Sequence, residues 1–301
     1  MVQIGGLVDT IAAVPSRRYL RGWAMQNPSD AKLLELGDCW IRYRIAGSGS
    51  QTVVLVTDAP LSIGDYSELI ELLKDRYRIV VMEAPACGLS LPKLNFDFSY
   101  RRWTAAFTAA LDALKLGPVI FVSPCVSGLS GIGIANMRPD LIKGLVVTQT
   151  ADWTEERTWA HSLGSLGLFK VPVWGQLLML RAKHARWDRR LPTIVGERPE
   201  RFLPNINATL QHGGCYCMAS AGMYFLTPQC PHEVRPIKQP SLALWGLKDR
   251  GHIAAKTDMR SISRLLPNAD VKMLDDVGHW PEVENPDQFA RLLDEFVAQI
   301  A

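Results

Sequence analysis

The 301-residue chain has no apolar run near the ~18–20 residues that a membrane-spanning helix needs. It has no low-complexity tract and no internal repeat, which excludes solenoids and disordered arrays. It also lacks a charge excess: 33 Lys and Arg against 30 Asp and Glu leave +3, too little for a nucleic-acid partner. Six cysteines (Cys39, Cys87, Cys125, Cys215, Cys217, Cys230) show no framework spacing, so reduced thiols and a cytoplasmic location are expected. Cys215, Cys217, Cys230 and His232 resemble a zinc set only loosely. One residue between the first pair is fewer than structural zinc prefers, and no metal is expected. The N-terminus does not read as a signal peptide, because Asp9 breaks its apolar run and Arg17, Arg18 and Arg21 follow that run. Residues 1–30 are expected to be a helical extension packed on the domain, without membrane association.

What the chain does have is alternation. "TVVLVT", "RIVVMEAP", "PVIFV" and "IKGLVVTQT" read as buried strands, separated by stretches such as "YSELIELLKD" and "WTAAFTAALDALKLG" with helical spacing. The pattern stops over residues 151–235, a segment rich in Trp, Leu, Arg and Gly, and resumes with "SLALWG" and "VKMLDD". Alternating strands and helices predict an α/β fold, a mostly parallel twisted sheet with helices on both faces. Residues 31–150 and 236–301 would form this core, and 151–235 an inserted helical lid.

In an open parallel sheet, reactive side chains gather beyond the carboxyl ends of strands. Three such ends here carry Cys125, Asp249 and His279. A thiol, a carboxylate and an imidazole make a nucleophile, an orienter and a base. His252, three residues after Asp249, is read as a surface loop residue rather than the base. In the insertion, Arg181, Lys183, Arg186, Arg189 and Arg190 suggest a solvated helix face. The alternative is a landing site for an acidic carrier protein or for coenzyme A phosphates. Trp153, Trp159, Trp174 and Trp245 are candidates for an apolar acyl pocket, although core packing is the default for each.

With these motifs in place, the sequence resembles the α/β-hydrolase superfamily over about residues 32–299. The family's nucleophile elbow reads here as "SPCVSG", its turn after the next strand as "EAPACGLS", its acid loop as "LWGLKD" and its histidine segment as "VGHWPEVENP". Cysteine in place of serine is a feature the chain shares with dienelactone hydrolases and polyhydroxyalkanoate synthases. The family's His-Gly after the third strand is replaced by Thr57 and Asp58.

The resemblance implies an acyl-Cys125 intermediate, with His279 as base, Asp249 as its orienter, and the backbone N–H groups of Val126 and Ala59 as oxyanion donors. Asp58 is expected to point away, be protonated or meet a substrate group; Trp153 and Trp280 are further pocket candidates. The expected reaction is hydrolysis of a small ester or thioester, presented free or as a coenzyme A or carrier-protein conjugate, with no cofactor. Acyl transfer or cyclisation, and a non-catalytic ligand-binding member of the fold, are the alternatives.

Overall fold

A computed structural model describes residues 3–12, 31–162, 170–211 and 218–300, without the side chains of Lys183, His184 and Met218. Cys215, Cys217, Arg17, Arg18 and Arg21 therefore lie outside the described residues.

The continuous apolar runs become the inner strands of one eight-stranded sheet, as strands covered on both faces must. These are β3 (Thr52–Thr57), β4 (Arg78–Glu83), β5 (Val119–Pro124), β6 (Ile142–Thr148) and β7 (Ser241–Gly246). The more alternating β1 (Ala31–Glu35) and β2 (Trp40–Ala46) lie at one edge, and β8 (Ala269–Leu274) at the other. The order is β1-β2-β4-β3-β5-β6-β7-β8, and only β2 runs against the rest.

Period-2 alternation splits the strand side chains between two cores. On one face Val54, Phe121 and Leu145 pack with Phe107 and Leu111 of α3 (Tyr100–Ala113) and Leu129 and Ile132 of α4 (Val126–Met137). On the other, Leu55, Ile120 and Val146 pack with Leu69 and Leu73 of α2 (Ser67–Leu73) and Phe289 and Leu293 of α11 (Pro286–Gln299). Together these buried side chains supply the hydrophobic drive for the α/β core.

The chain leaves β3 for β4 on one side and later returns to β5 on the other, so the strand order reverses at β3. A crevice opens at such a switch point. Asp58 and Ala59 follow β3 there, and Cys125 follows β5.

Among the described residues of 151–235 no strand occurs. The segment forms α5 (Trp153–Ser162), α6 (Trp174–Ile194), α7 (Leu203–Gln211) and α8 (Met218–Tyr224). The N-terminal α1 (Ile4–Ala12) rests on α6 and α8. Its buried Asp9 accepts from Ser220 Oγ at 2.5 Å and Ser220 N at 3.3 Å, and Gln176 donates to the same Ser220 hydroxyl at 3.0 Å. Burial pushes the Asp9 carboxyl up to about 7, against the pull of the Ser220 hydrogen bonds.

The turn after β4 hangs on one fully buried carboxylate. Glu83 accepts from Arg42 Nη1 at 2.9 Å, from Ile63 N at 3.2 Å and from Leu89 N at 2.6 Å. Ala86 at φ 61° and Gly88 at φ 53° bend the turn around it. Glu83→Ala removes the acceptor of a buried guanidinium and two backbone donors, so a loss of about 3 kcal/mol is expected. Urea unfolding of the two proteins measures it, and a loss under about 1 kcal/mol would contradict this account.

Candidate active site

Cys125 occupies a sharp corner between β5 and α4, at φ 49° and ψ −138°. A non-glycine residue holds such a backbone only when its neighbours enforce it. They do so here on both sides of the peptide. Cys125 N donates to Thr148 O at 2.8 Å, and its carbonyl accepts from Gly128 N at 2.9 Å and Thr150 Oγ1 at 2.9 Å. A Cβ at Gly128 would stand 2.3 Å from that threonine oxygen, so the close approach of α4 requires glycine. Serine replaces the usual small glycines at Ser123 and Ser127, and both fit as buried residues.

Asp249 is placed by capping α9 (Arg250–Ala254). Its Oδ1 accepts from Gly251 N at 2.8 Å and His252 N at 3.3 Å. Its Oδ2 accepts from Gln149 Nε2 at 3.0 Å and lies 2.5 Å from His279 Nδ1. Burial alone would raise this carboxyl, but the His279 and His252 rings and the Gln149 bond together pull it well below the ordinary range. Asp249 is therefore an anion.

His279 sits before α10 (Pro281–Glu284), in a loop fastened from several directions. Its N–H donates to Ile194 O, the last residue of α6, at 2.8 Å. Glu284 accepts from Gly278 N at 2.8 Å, Trp280 N at 3.0 Å and Gly196 N at 2.6 Å. The Cys125 sulfur lies within 4.8 Å of a nitrogen of this ring. Burial opposes charge on His279, yet Asp249, Asp58 and Cys125 outweigh it and raise the imidazole well above its usual value. Burial first, then Asp58 and Glu156, push the Cys125 thiol up to about 12, against the pull of His279. The surrounding carboxyl groups thus favour the thiol on the sulfur and charge on the imidazole.

Asp58 does not point away from the site. Its Oδ2 lies 3.2 Å from His279 Nε2 and accepts from Trp280 Nε1 at 2.9 Å. The imidazole ring is held between Asp58 and Asp249, one on each nitrogen. Ala59 and Val126 line the same cavity as Cys125, and the N-terminus of α4 is directed at the corner.

That cavity measures about 340 Å³. Trp159 lines it, but the other four expected pocket tryptophans do not. Trp153 packs edge-on to Tyr100 and stacks on Phe225, with its indole N–H on Thr227 O. Trp280 is fully buried against Phe202 and serves Asp58. Trp174 is 62% exposed on the surface, and Trp245 lies edge-on beneath His252.

Several neighbours of these residues are placed differently from the sequence expectation, and Gln149 is new. His252 is not on the surface: it is fully buried, stacked 4.4 Å from Trp159 and 5.4 Å from His279. Burial lowers it to about 3, with His279 and Arg190 adding to that against Asp249, so it is neutral. Gln149, at φ 48°, joins Asp249 to Gly246 N through its Oε1 at 2.7 Å. Only its place just beyond a strand end hinted at this. Of the basic run on α6, Arg181 and Arg189 face solvent, whereas Arg186 and Arg190 line the cavity. The Arg190 guanidinium lies 5.8 Å over the Trp159 ring and 6.0 Å over Trp187, with no carboxylate within ion-pair distance among the described residues. Of the cysteine set once weighed for zinc, Cys230 is exposed and only grazes Pro231 O and Val234 O.

With this geometry in view, residues 53–292 match the alpha/beta hydrolase family, and the chain belongs to that family. A 2-hydroxy-6-oxononadienedioate/2-hydroxy-6-oxononatrienedioate hydrolase of Burkholderia vietnamiensis is 33% identical over 276 residues, spanning 85% of this chain and 90% of its own. A Petunia hybrida protein named karrikin insensitive 2 receptor CA is 22% identical over 251 residues, spanning 81% and 90%. Among solved structures, the Cif epoxide hydrolase from Acinetobacter nosocomialis superposes with a TM-score of 0.71 at 16% identity, over 94% and 96% of the two chains. That likeness concerns the fold.

Around the triad, burial pushes Glu156 up to about 8 and Glu282 to about 7. A carboxyl raised in the folded state stabilises the fold at low pH, and that contribution is lost as pH rises through the folded value. The melting temperature is therefore expected to fall between pH 5 and pH 8.5. Glu156→Gln, which cannot ionise, should flatten that fall, and a parallel decline in variant and parent would refute the assignment.

Proposed function

We propose that the protein is a cysteine-nucleophile hydrolase that cleaves an ester or thioester of a small, acid-bearing acyl substrate. The observation that carries this reading is the strained corner at Cys125, with its sulfur within 4.8 Å of a His279 nitrogen and Asp249 on Nδ1 of that ring. Strain of this kind persists where it presents a side chain for reaction.

In this reading Asp58 draws off the Nε2 proton of His279, and the freed nitrogen takes the thiol proton. The sulfur adds to the carbonyl carbon, while the N–H groups of Val126 and Ala59 receive the oxyanion. A protonated Asp58 no longer repels that developing charge, which removes the conflict created by a carboxylate at this position. The leaving group departs with the proton from His279. Water, deprotonated by His279, then adds to the thioester; the C–S bond breaks, the acid leaves, and Cys125 and Asp58 return to their resting states.

Arg190 is the proposed handle for the acid. It is a half-buried cation over two indoles at the cavity wall, with no carboxylate within ion-pair distance among the described residues. The Burkholderia relative is named for a dioate, which fits a substrate with a carboxylate away from the scissile bond. Residues 151–235 then act as a lid that brings Trp159 and Arg190 over the strand ends.

Intact-mass measurement after exposure to short acyl thioesters tests the core claim. A stable adduct on the parent that is missing in Cys125→Ala is expected; no adduct and no turnover with any donor would sink it. Titrating an amine acceptor separates hydrolysis from acyl transfer by the ratio of free acid to amide. Arg190→Met should raise KM for acid-bearing esters by about 10- to 100-fold with kcat nearly kept, and should spare neutral esters. Equal losses on both substrate classes would reject Arg190 as the anion handle.

A further inference from the structure

Asp58 stands where the fold usually has no side chain, and it brings a third donor to the Cys125–His279 pair. The Cys125 sulfur, an Asp58 oxygen and a His279 nitrogen all lie within 4.8 Å of one another, and all three residues are buried. We propose that Cys125, His279 and Asp58 form a binding site for a borderline-soft divalent cation, zinc above all, and that the bound ion masks the thiol.

The donor set suits the ion. Thiolate, imidazole and carboxylate are its ordinary ligands, at about 2.0–2.3 Å, and a tetrahedral centre with such bonds spaces its donors roughly 3.3–3.6 Å apart. The Asp58 Oδ2 to His279 Nε2 separation of 3.2 Å is already that of one tetrahedral edge. The sulfur must close by no more than about 1.3 Å from the 4.8 Å limit to complete the triangle.

The outer partners are in place as well. A metal-ligating histidine is normally held by a carboxylate on its other nitrogen, and ligating carboxylates are themselves hydrogen-bonded. Asp249 lies 2.5 Å from His279 Nδ1, and Trp280 Nε1 donates to Asp58 at 2.9 Å. All three donors also line the cavity, so a fourth position opens towards a water or a small ligand. Binding releases two protons, one from the Cys125 sulfur and one from His279 Nε2; Asp58 exchanges its contact with that nitrogen for the ion. Two anionic ligands then balance the charge of the cation.

An ion here and an electrophile on the sulfur exclude each other. The masking follows from the metal–sulfur bond whether or not Cys125 carries an acyl group in a reaction, so it can fail separately from the proposed hydrolysis.

Cobalt(II) serves as the optical probe on chelator-treated full-length protein. One equivalent is expected to produce a near-ultraviolet sulfur-to-cobalt charge-transfer band together with the strong visible bands of a tetrahedral site. Cys125→Ser should abolish the former, and Asp58→Asn should weaken zinc binding, read by competition, at least tenfold. A variant with Cys215, Cys217 and Cys230 all changed to serine should keep both sets of bands. With zinc added to the parent, alkylation of Cys125 by iodoacetamide, followed by intact mass, should slow at least tenfold and recover with chelator. A charge-transfer band that survives Cys125→Ser, disappears in the triple variant, or never forms at a tenfold excess of cobalt would overturn the proposal. Zinc protection without any acyl adduct would leave it standing and count against the hydrolase reading instead.

Discussion

Asp249 takes hydrogen bonds or close contacts from Gln149, Gly251, His252 and His279 with its two oxygens. Those four groups come from the ends of β6, β7 and β8. An ionised carboxylate in an apolar interior is very unfavourable unless nearly all its lone pairs are satisfied, so these loops are fixed relative to one another by a shared need. The orientation of His279 follows from it, whereas His252 is neutral through burial and in spite of this charge. The sheet supplies the platform; this one charge sets the angles of what stands on it.

The meeting of Cys125, Asp249 and His279 was legible in the sequence because each follows an apolar strand by a few residues. Cys125 follows "VIFV", Asp249 follows "LALWG", and His279 follows "VKMLDD". Topology places such residues together whatever the detailed packing. Gln149 was not legible, since its partner Asp249 lies 100 positions away and nothing local marks a glutamine as a bridge. The aromatic residues misled for a related reason. Trp153 and Trp159 both begin or lie within α5, and only the turn of that helix against Phe225 decides which faces the core and which the cavity. Arg190 looked like one more cation on a wet face, because helical periodicity in a basic run cannot show which side meets an indole pair.

Asp58 changes the electrostatic character of the corner more than the cysteine itself does. With Asp249 and Asp58 on its two nitrogens, the imidazole has acidic groups on both sides, and burial and Asp58 disfavour charge on the thiol. This is the reverse of the thiolate–imidazolium pairs that activate many cysteines, where positive charge dominates and the sulfur ionises readily. A resting thiol is also a poorer target for adventitious oxidants, which favour the thiolate.

The helix α6 begins at the surface, passes Arg190 and ends by accepting the backbone N–H of His279 on Ile194. Arg190 at the cavity wall and the backbone of His279 are thus mechanically in series, separated by one turn of helix. A displacement of this helix end is carried directly to the loop that holds the imidazole.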